Sequence, residues 1–248
     1  AFIYASEGQP YGVIVGKKLN RTEAGEVIYE NGLPTFDDKV SVLGNGNYDF
    51  TLGFRNAFSY KNLSMSVLVD MKFGADVYSM SKMQSHVNGT SKETLEGREG
   101  WYASEQARLS ANVDAKDWTP TGGYIGKGVK AVTDADGNVS YVPNDVYVDP
   151  AKYWQALQNS SPEPFICDNS FVKLREVSLS YSCPKKWFVH TPIESVTLSA
   201  YGRNLLLIYS KVDNIDPESS YNNGNGQGFE YGSLPSRRTF GFGINVKF

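Results

Sequence analysis

The side chains able to do chemistry are scattered rather than grouped. His86 and His190 each stand alone, whereas a zinc site draws three or four ligands together, so both read as surface residues. The motifs G-x-S-x-G, H-E-x-x-H and the phosphate loop do not occur, and "GNGQG" at 224–228 lacks the strand-to-helix setting of a dinucleotide fingerprint. "DADGN" at 134–138 lacks the distal glutamate of a calcium loop and reads as a hairpin turn. No catalytic residue, metal site or cofactor is expected. What remains is aromatic: Trp101, Tyr102, Trp118, Trp154, Tyr221 and Tyr231 lie in long polar stretches, where rings stack on a sugar or a peptide. The same rings also pack loops or meet a partner protein, since Tyr and Trp dominate interface hot spots, and that second use is favoured.

Composition narrows the class. A net charge of -3, with lysines and arginines dispersed, leaves no footprint for nucleic acid. The 16 tyrosines, 13 phenylalanines and 24 glycines favour strands and turns, hence an all-β fold. No stretch approaches the roughly 20 apolar residues of a membrane-crossing helix. Cys167 and Cys183 flank one strand-like segment that would hold them roughly 50 Å apart if extended, too far for a disulfide. Sequons at Asn20, Asn62, Asn88, Asn138 and Asn159 carry a message only in a glycosylating secretory route. The opening "AFIYASEGQP" has no Met, basic or apolar leader region, and a preceding segment is expected.

The elements that must hold these residues are strands. In "DFTLGFRNAFSYKNLSMSVLVDMKF", Phe50, Leu52, Phe54, Phe58 and Tyr60 alternate with Thr51, Gly53, Arg55, Ala57 and Ser59. The second arm repeats the pattern from Leu63 to Phe73, with Leu68 out of step, after a turn at Lys61-Asn62. Five strands are expected, near 49–60, 63–75, 169–182, 193–207 and 237–248. In the third, Phe171, Lys173 and Arg175 share the parity of Val177, Leu179 and Tyr181, which predicts a bulge or a rise above the apolar zone there. Insertions near 76–165 and 210–235 are long, whereas Lys61-Asn62 is tight and 183–192 is moderate. Within the first insertion, Asp149-Pro150 before "AKYWQAL" predicts a helix start. Short turns at one end and long loops at the other are the asymmetry of outer-membrane barrels. Period-two alternation alone fits a half-buried sandwich equally well.

Several ordered motifs decide further: "FTLGFRNAFSYKNLSMSVLVDMKFGADVYSM", "SFVKLREVSLSYSCPKKW", "YGRNLLLI" with "DPES" downstream, and "PSRRTFGFGINVKF". In this order they resemble the SusC/RagA family of TonB-dependent outer-membrane transporters of Bacteroidetes, in the C-terminal part of the β-barrel. The resemblance covers nearly everything from about Pro34 onward except the interior of the first insertion, and residues 1–33 resemble the preceding loop region. Cys183 departs from the aliphatic residue usual before the proline, a small apolar exchange.

The resemblance implies a 22-stranded transmembrane barrel with long extracellular loops bearing one or two short helices, its plug and N-terminal domains lying outside this chain. It implies outer-membrane import of oligosaccharides or peptides with a SusD-like surface lipoprotein acting as a lid. The remainder of the transporter would complete the barrel in outer-membrane lipids, and the TonB complex would act through the N-terminal region. Under that reading Phe248 belongs to the assembly signal of the closing strand, and Arg55, Asp70, Lys72 and Arg203 face the lumen, solvated or paired with the plug. Two rivals stand beside it: a soluble secreted β-sandwich that binds carbohydrate, and a surface receptor or scaffold of the same family that imports nothing.

Overall fold

The computed structural model describes residues 1–248 except Ser6, 220–223 and Asn225. Strands β1 (Phe2–Tyr4), β2 (Val13–Leu19), β3 (Ile28–Glu30), β4 (Leu33–Pro34) and β5 (Phe36–Asn45) come first. Strand β5 is long but was illegible in the sequence, because Asp37, Asp38 and Lys39 break its alternation. Strands β6 (Phe50–Tyr60) and β7 (Leu63–Phe73) then form a hairpin whose turn places Lys61 at φ 52°.

The first insertion holds β8 (Asp76–Ser79), α1 (Met80–Val87), α2 (Arg98–Ser110), β9 (Val129–Thr133), β10 (Val139–Pro143), α3 (Pro150–Ser160) and β11 (Ile166–Asp168). The chain continues as β12 (Phe171–Ser182), β13 (Ser195–Ser210), β14 (Phe229–Glu230) and β15 (Thr239–Lys247). The described residues thus carry three α-helices where one or two were expected. The 13-residue α2 lacks a side-chain cap: Gly97 stands at its N-terminus with φ 82°, so no Ser, Thr or Asp announces it. Helix α3 does start at Asp149-Pro150, with the aspartate accepting from Ala151 N at 2.9 Å.

Five strands make one antiparallel sheet in the order β6-β7-β12-β13-β15. Its register fixes the ends. Tyr60 pairs with Leu63, and Tyr181 pairs with both Leu63 and Leu198, so the two short connections share one end and the two long insertions the other. One face carries Phe50, Leu52, Phe54, Val69, Leu179, Leu198, Phe242 and Ile244; the other carries Thr51, Ser66, Ser178, Ser199 and Asn245. The apolar face is bare: Phe242 is 87% and Ile244 73% exposed. On the polar face Tyr201 lies across Gly241, where a Cβ would come within 2.4 Å of its ring.

The parity of β12 reverses at Arg175. Leu174 pairs with Val69 and Glu176 with Leu68, leaving Arg175 as the extra residue against β7. Opposite it, Asn204 and Leu205 fill the gap between Arg203 and Leu206 of β13. The bulge therefore turns Phe171, Lys173 and Glu176 onto the same polar face as Ser178 and Ser180, instead of placing two charges among aliphatic neighbours.

The packed core lies elsewhere. Tyr29, Tyr78, Met83, Tyr124, Tyr153, Trp154, Leu157, Phe165 and Phe229 form one buried cluster built from the N-terminal strands and the insertions. Burying each such large side chain contributes about 1.5–3 kcal/mol relative to leaving it in water.

Candidate functional site

The insertion is organised around aromatic contacts. Helix α1 is capped by Ser79, whose side chain accepts from Lys82 N and donates to Glu230 at 2.8 Å. Glu230 also accepts from Ser81 Oγ at 2.8 Å, tying α1 to β14. Helix α3 faces α1, bringing Trp154 to 4.4 Å from the ring of His86. Tyr153 packs on Tyr124 at 4.4 Å and its hydroxyl lies 3.3 Å from that of Tyr29; burial, with this hydroxyl contact, raises its pKa.

Helix α2 lies against Gly122 and Gly123, where the backbones approach so closely that a Cβ on Gly122 would sit 2.6 Å from Gly100 O. Between α2, α1 and α3 opens a cleft of about 560 Å³, walled by Trp101, Tyr102, Trp154, His86, Arg98 and Glu105.

Of the six aromatic candidates, the structure brings three together here: Trp101, Tyr102 and Trp154. Trp118 instead donates from Nε1 to Ser104 Oγ at 3.1 Å, fastening the segment after α2 to that helix. Tyr231 stacks in another place, 5.8 Å from Phe229 and 6.4 Å from Tyr78. Tyr221 lies outside the described residues. Phe248 follows β15 and is 76% exposed on the sheet. His190 is exposed, but His86 is not the surface residue expected from sequence. It is buried beneath Trp154, donates from Nδ1 to Lys82 O at 2.8 Å and meets Glu93 at Nε2, also at 2.8 Å. That contact with His86 holds the Glu93 carboxyl below the usual carboxylate range. The i, i+3 pairing of Met83 and His86 on α1 was the available signal that both face inward.

A second organised region lies on the polar face of the sheet, at the insertion end. Lys173 is buried and contacts Asp216 at 3.1 Å and Glu218 at 2.7 Å. Arg175, the bulged residue, reaches Asp70 at 2.6 Å and the other oxygen of Glu218. Ser236 donates to Asp216 from its backbone nitrogen at 2.8 Å. Burial raises the Glu218 carboxyl, but hydrogen bonds from Arg175 and Lys173 outweigh it, so its pKa is lowered. Lower down, Glu176 accepts from Arg203 at 2.7 Å and lies 3.7 Å from Arg55. Of the four charges expected to be solvated or plug-paired, Arg55, Asp70 and Arg203 have partners within the sheet, whereas Lys72 has no carboxylate within reach among the described residues.

No family model matches the chain. It is 27% identical over 222 residues to TonB-dependent receptor P3 of Formosa agariphila, which covers 87% of this chain and 18% of that protein. It is 29% identical over 240 residues to TonB-dependent receptor P26 of the same species, with 95% and 20% covered. In sequence the chain is thus similar to part of the TonB-dependent receptors.

The chain spans about a fifth of the length of these curated relatives. Its fold is similar to solved structures of the RagAB peptide transporter, at 16% identity and TM-score 0.52 over 96% of this chain and 23% of that one. The RagAB peptide importer in its closed-closed state gives 15% and 0.55 over 99% and 25%. TonB-dependent receptors are outer-membrane proteins, and the sheet of this chain suits that setting, with apolar side chains bare on one face and most charges paired on the other. Within the segment, the motifs that carried the resemblance converge: "FVKLRE", "DPES" and "PSRR" supply Lys173, Arg175, Asp216, Glu218 and Ser236 to one ionic cluster.

Proposed function

We propose that the chain forms five adjacent strands of the barrel wall of an outer-membrane importer, a transport protein and not an enzyme. The insertions face the cell exterior, and the apolar face meets lipid. The observation that carries this reading is the bare apolar face of a sheet whose opposite face pairs nearly all its charges, an arrangement suited to lipid outside and water within. The strands number too few to close, so both sheet edges await strands of the same receptor.

The cargo is an oligosaccharide or a peptide. A SusD-like surface lipoprotein would cover the insertions, and the TonB complex would act through regions outside this chain. The cleft of Trp101, Tyr102 and Trp154 is the proposed contact for lid or cargo, because it presents the exposed ring of Tyr102 and the partly exposed ring of Trp101 over the buried Trp154. The assembly role of Phe248 belongs to the same proposal.

Surface labelling in intact cells tests the orientation. A cysteine at Tyr102 should react with a membrane-impermeant maleimide, and one at Lys61 should not; the reverse pattern contradicts the proposal. Recovery of the native receptor in the soluble fraction without detergent would favour the soluble carbohydrate-binding sandwich instead.

A further inference from the structure

On the polar face of the wall, Arg55, Arg203, Lys173 and Arg175 each have a carboxylate within 4 Å. Lys72 has neither a carboxylate nor a hydrogen-bond acceptor among the described residues, and the residues outside the description include no acid. Its ammonium is half-buried between two rings, 5.4 Å from the centroid of Tyr48 and 5.8 Å from that of Phe171. These rings keep a cation in place without neutralising it.

Lys72 lines a cleft of about 260 Å³ with Tyr48, Asn169, Asp76, Glu218 and the backbone of Gly228. Asn169 supplies an independent sign of an absent group. It is only 8% exposed, and its Nδ2 donates to Tyr48 Oη and to the Pro217 carbonyl, both at 2.9 Å. The proline carbonyl can only accept, which fixes the amide's orientation and leaves Oδ1 buried without a donor. An orphaned acceptor of this kind costs about 1–3 kcal/mol unless something fills it. The Tyr48 hydroxyl accepts from Asn169 and has its own proton to give; burial, followed by the charges of Glu218 and Asp70, raises its pKa to about 12.

We infer that this cleft binds a single carboxylate, taken by Lys72 Nζ and the Tyr48 hydroxyl, on a group that also brings an N–H or O–H to Asn169 Oδ1. One unpaired positive charge matches one negative charge. Asp76 and Glu218 on the same lining oppose a phosphate or sulfate of higher charge.

The carboxylate has two sources, a soluble ligand or an acidic side chain of the receptor's own polypeptide outside this segment. Calorimetry of the full-length receptor in detergent separates them, using N-acetylglycine and its uncharged amide. For a soluble ligand, the acid binds saturably and the amide does not. Lys72→Met then weakens binding at least about tenfold, the loss of one charge-assisted hydrogen bond, and Lys72→Arg retains it. Unchanged heat-modifiable migration of both variants on gels shows that the barrel is intact. For an internal source, the acid does not bind, and the structure of the full-length receptor has a carboxylate within 4 Å of Lys72 Nζ. Equal binding of acid and amide, binding indifferent to Lys72→Met, or an empty site with no binding of the acid overturns the inference.

Discussion

The wall and the first insertion use the same residue types in opposite ways. In the insertion, Phe165 is 1% exposed and Leu157 2%, enclosed by Tyr153, Trp154 and Met83. On the wall, Phe242 is 87% exposed and Phe54 56%. The insertion is folded against water, by burying rings in a common core. The wall has no core of its own: backbone pairing holds it, and its side chains sort by face. Hydrophobicity alone is therefore a poor guide to what is inside this protein, and strand parity is the better one.

Substitutions should separate the two regions sharply. Phe165→Ala should cost about 3–5 kcal/mol, because its cavity would open inside a closed cluster. Hydrogen exchange should then quicken across α1 and α3 while β12 and β13 keep their protection. Arginine at Phe54 should cost about 2–4 kcal/mol of barrel stability, as expected for a charge on a lipid face at mid-depth. Arginine at Ala57, on the polar face of the same strand, should cost much less, and urea unfolding in bilayers would measure the difference.

The ionic cluster joins the two regions, and Glu218→Gln should weaken it by about 2 kcal/mol through loss of charge-assisted hydrogen bonds. Its pH dependence follows from the sign of the shift. The Glu218 pKa is lower folded than unfolded, so its contribution is complete above the ordinary glutamate value near ~4.3 and disappears as pH falls through the folded value. Proteolysis of the second insertion, 211–238, should accelerate below about pH 4 in the wild type, and Glu218→Gln should flatten that response. The smallest effect expected is for Asp149→Ala, about 1 kcal/mol from a lost helix cap, confined to exchange in the first turn of α3.

What could be read from sequence follows the range of each interaction. The hairpin at Lys61, the turn at Asp136-Gly137 and the cap at Asp149 are local and announce themselves within a few residues. The bulge at Arg175 was legible because two charges sat on the wrong parity. Helix α2 was not, since Gly97 gives no capping signal. The ionic cluster was hidden for another reason: Arg175 meets Asp70 and Glu218 from 105 and 43 residues away, and no local pattern encodes that pairing. The ring types marked the insertion as a place of contact, but only the packing of α1, α2 and α3 separates Trp101, Tyr102 and Trp154 from Trp118 and Tyr231.

The central claim is that alternate residues of one strand face lipid and water. Spin labels at single cysteines replacing Phe242 and Gly243, in the full-length receptor with Cys167 and Cys183 changed to serine, test it most directly. In reconstituted bilayers, the label at 242 should be relaxed mainly by oxygen and that at 243 mainly by a water-soluble nickel complex. Equal exposure of both labels to the nickel complex, or the opposite assignment, would contradict the account.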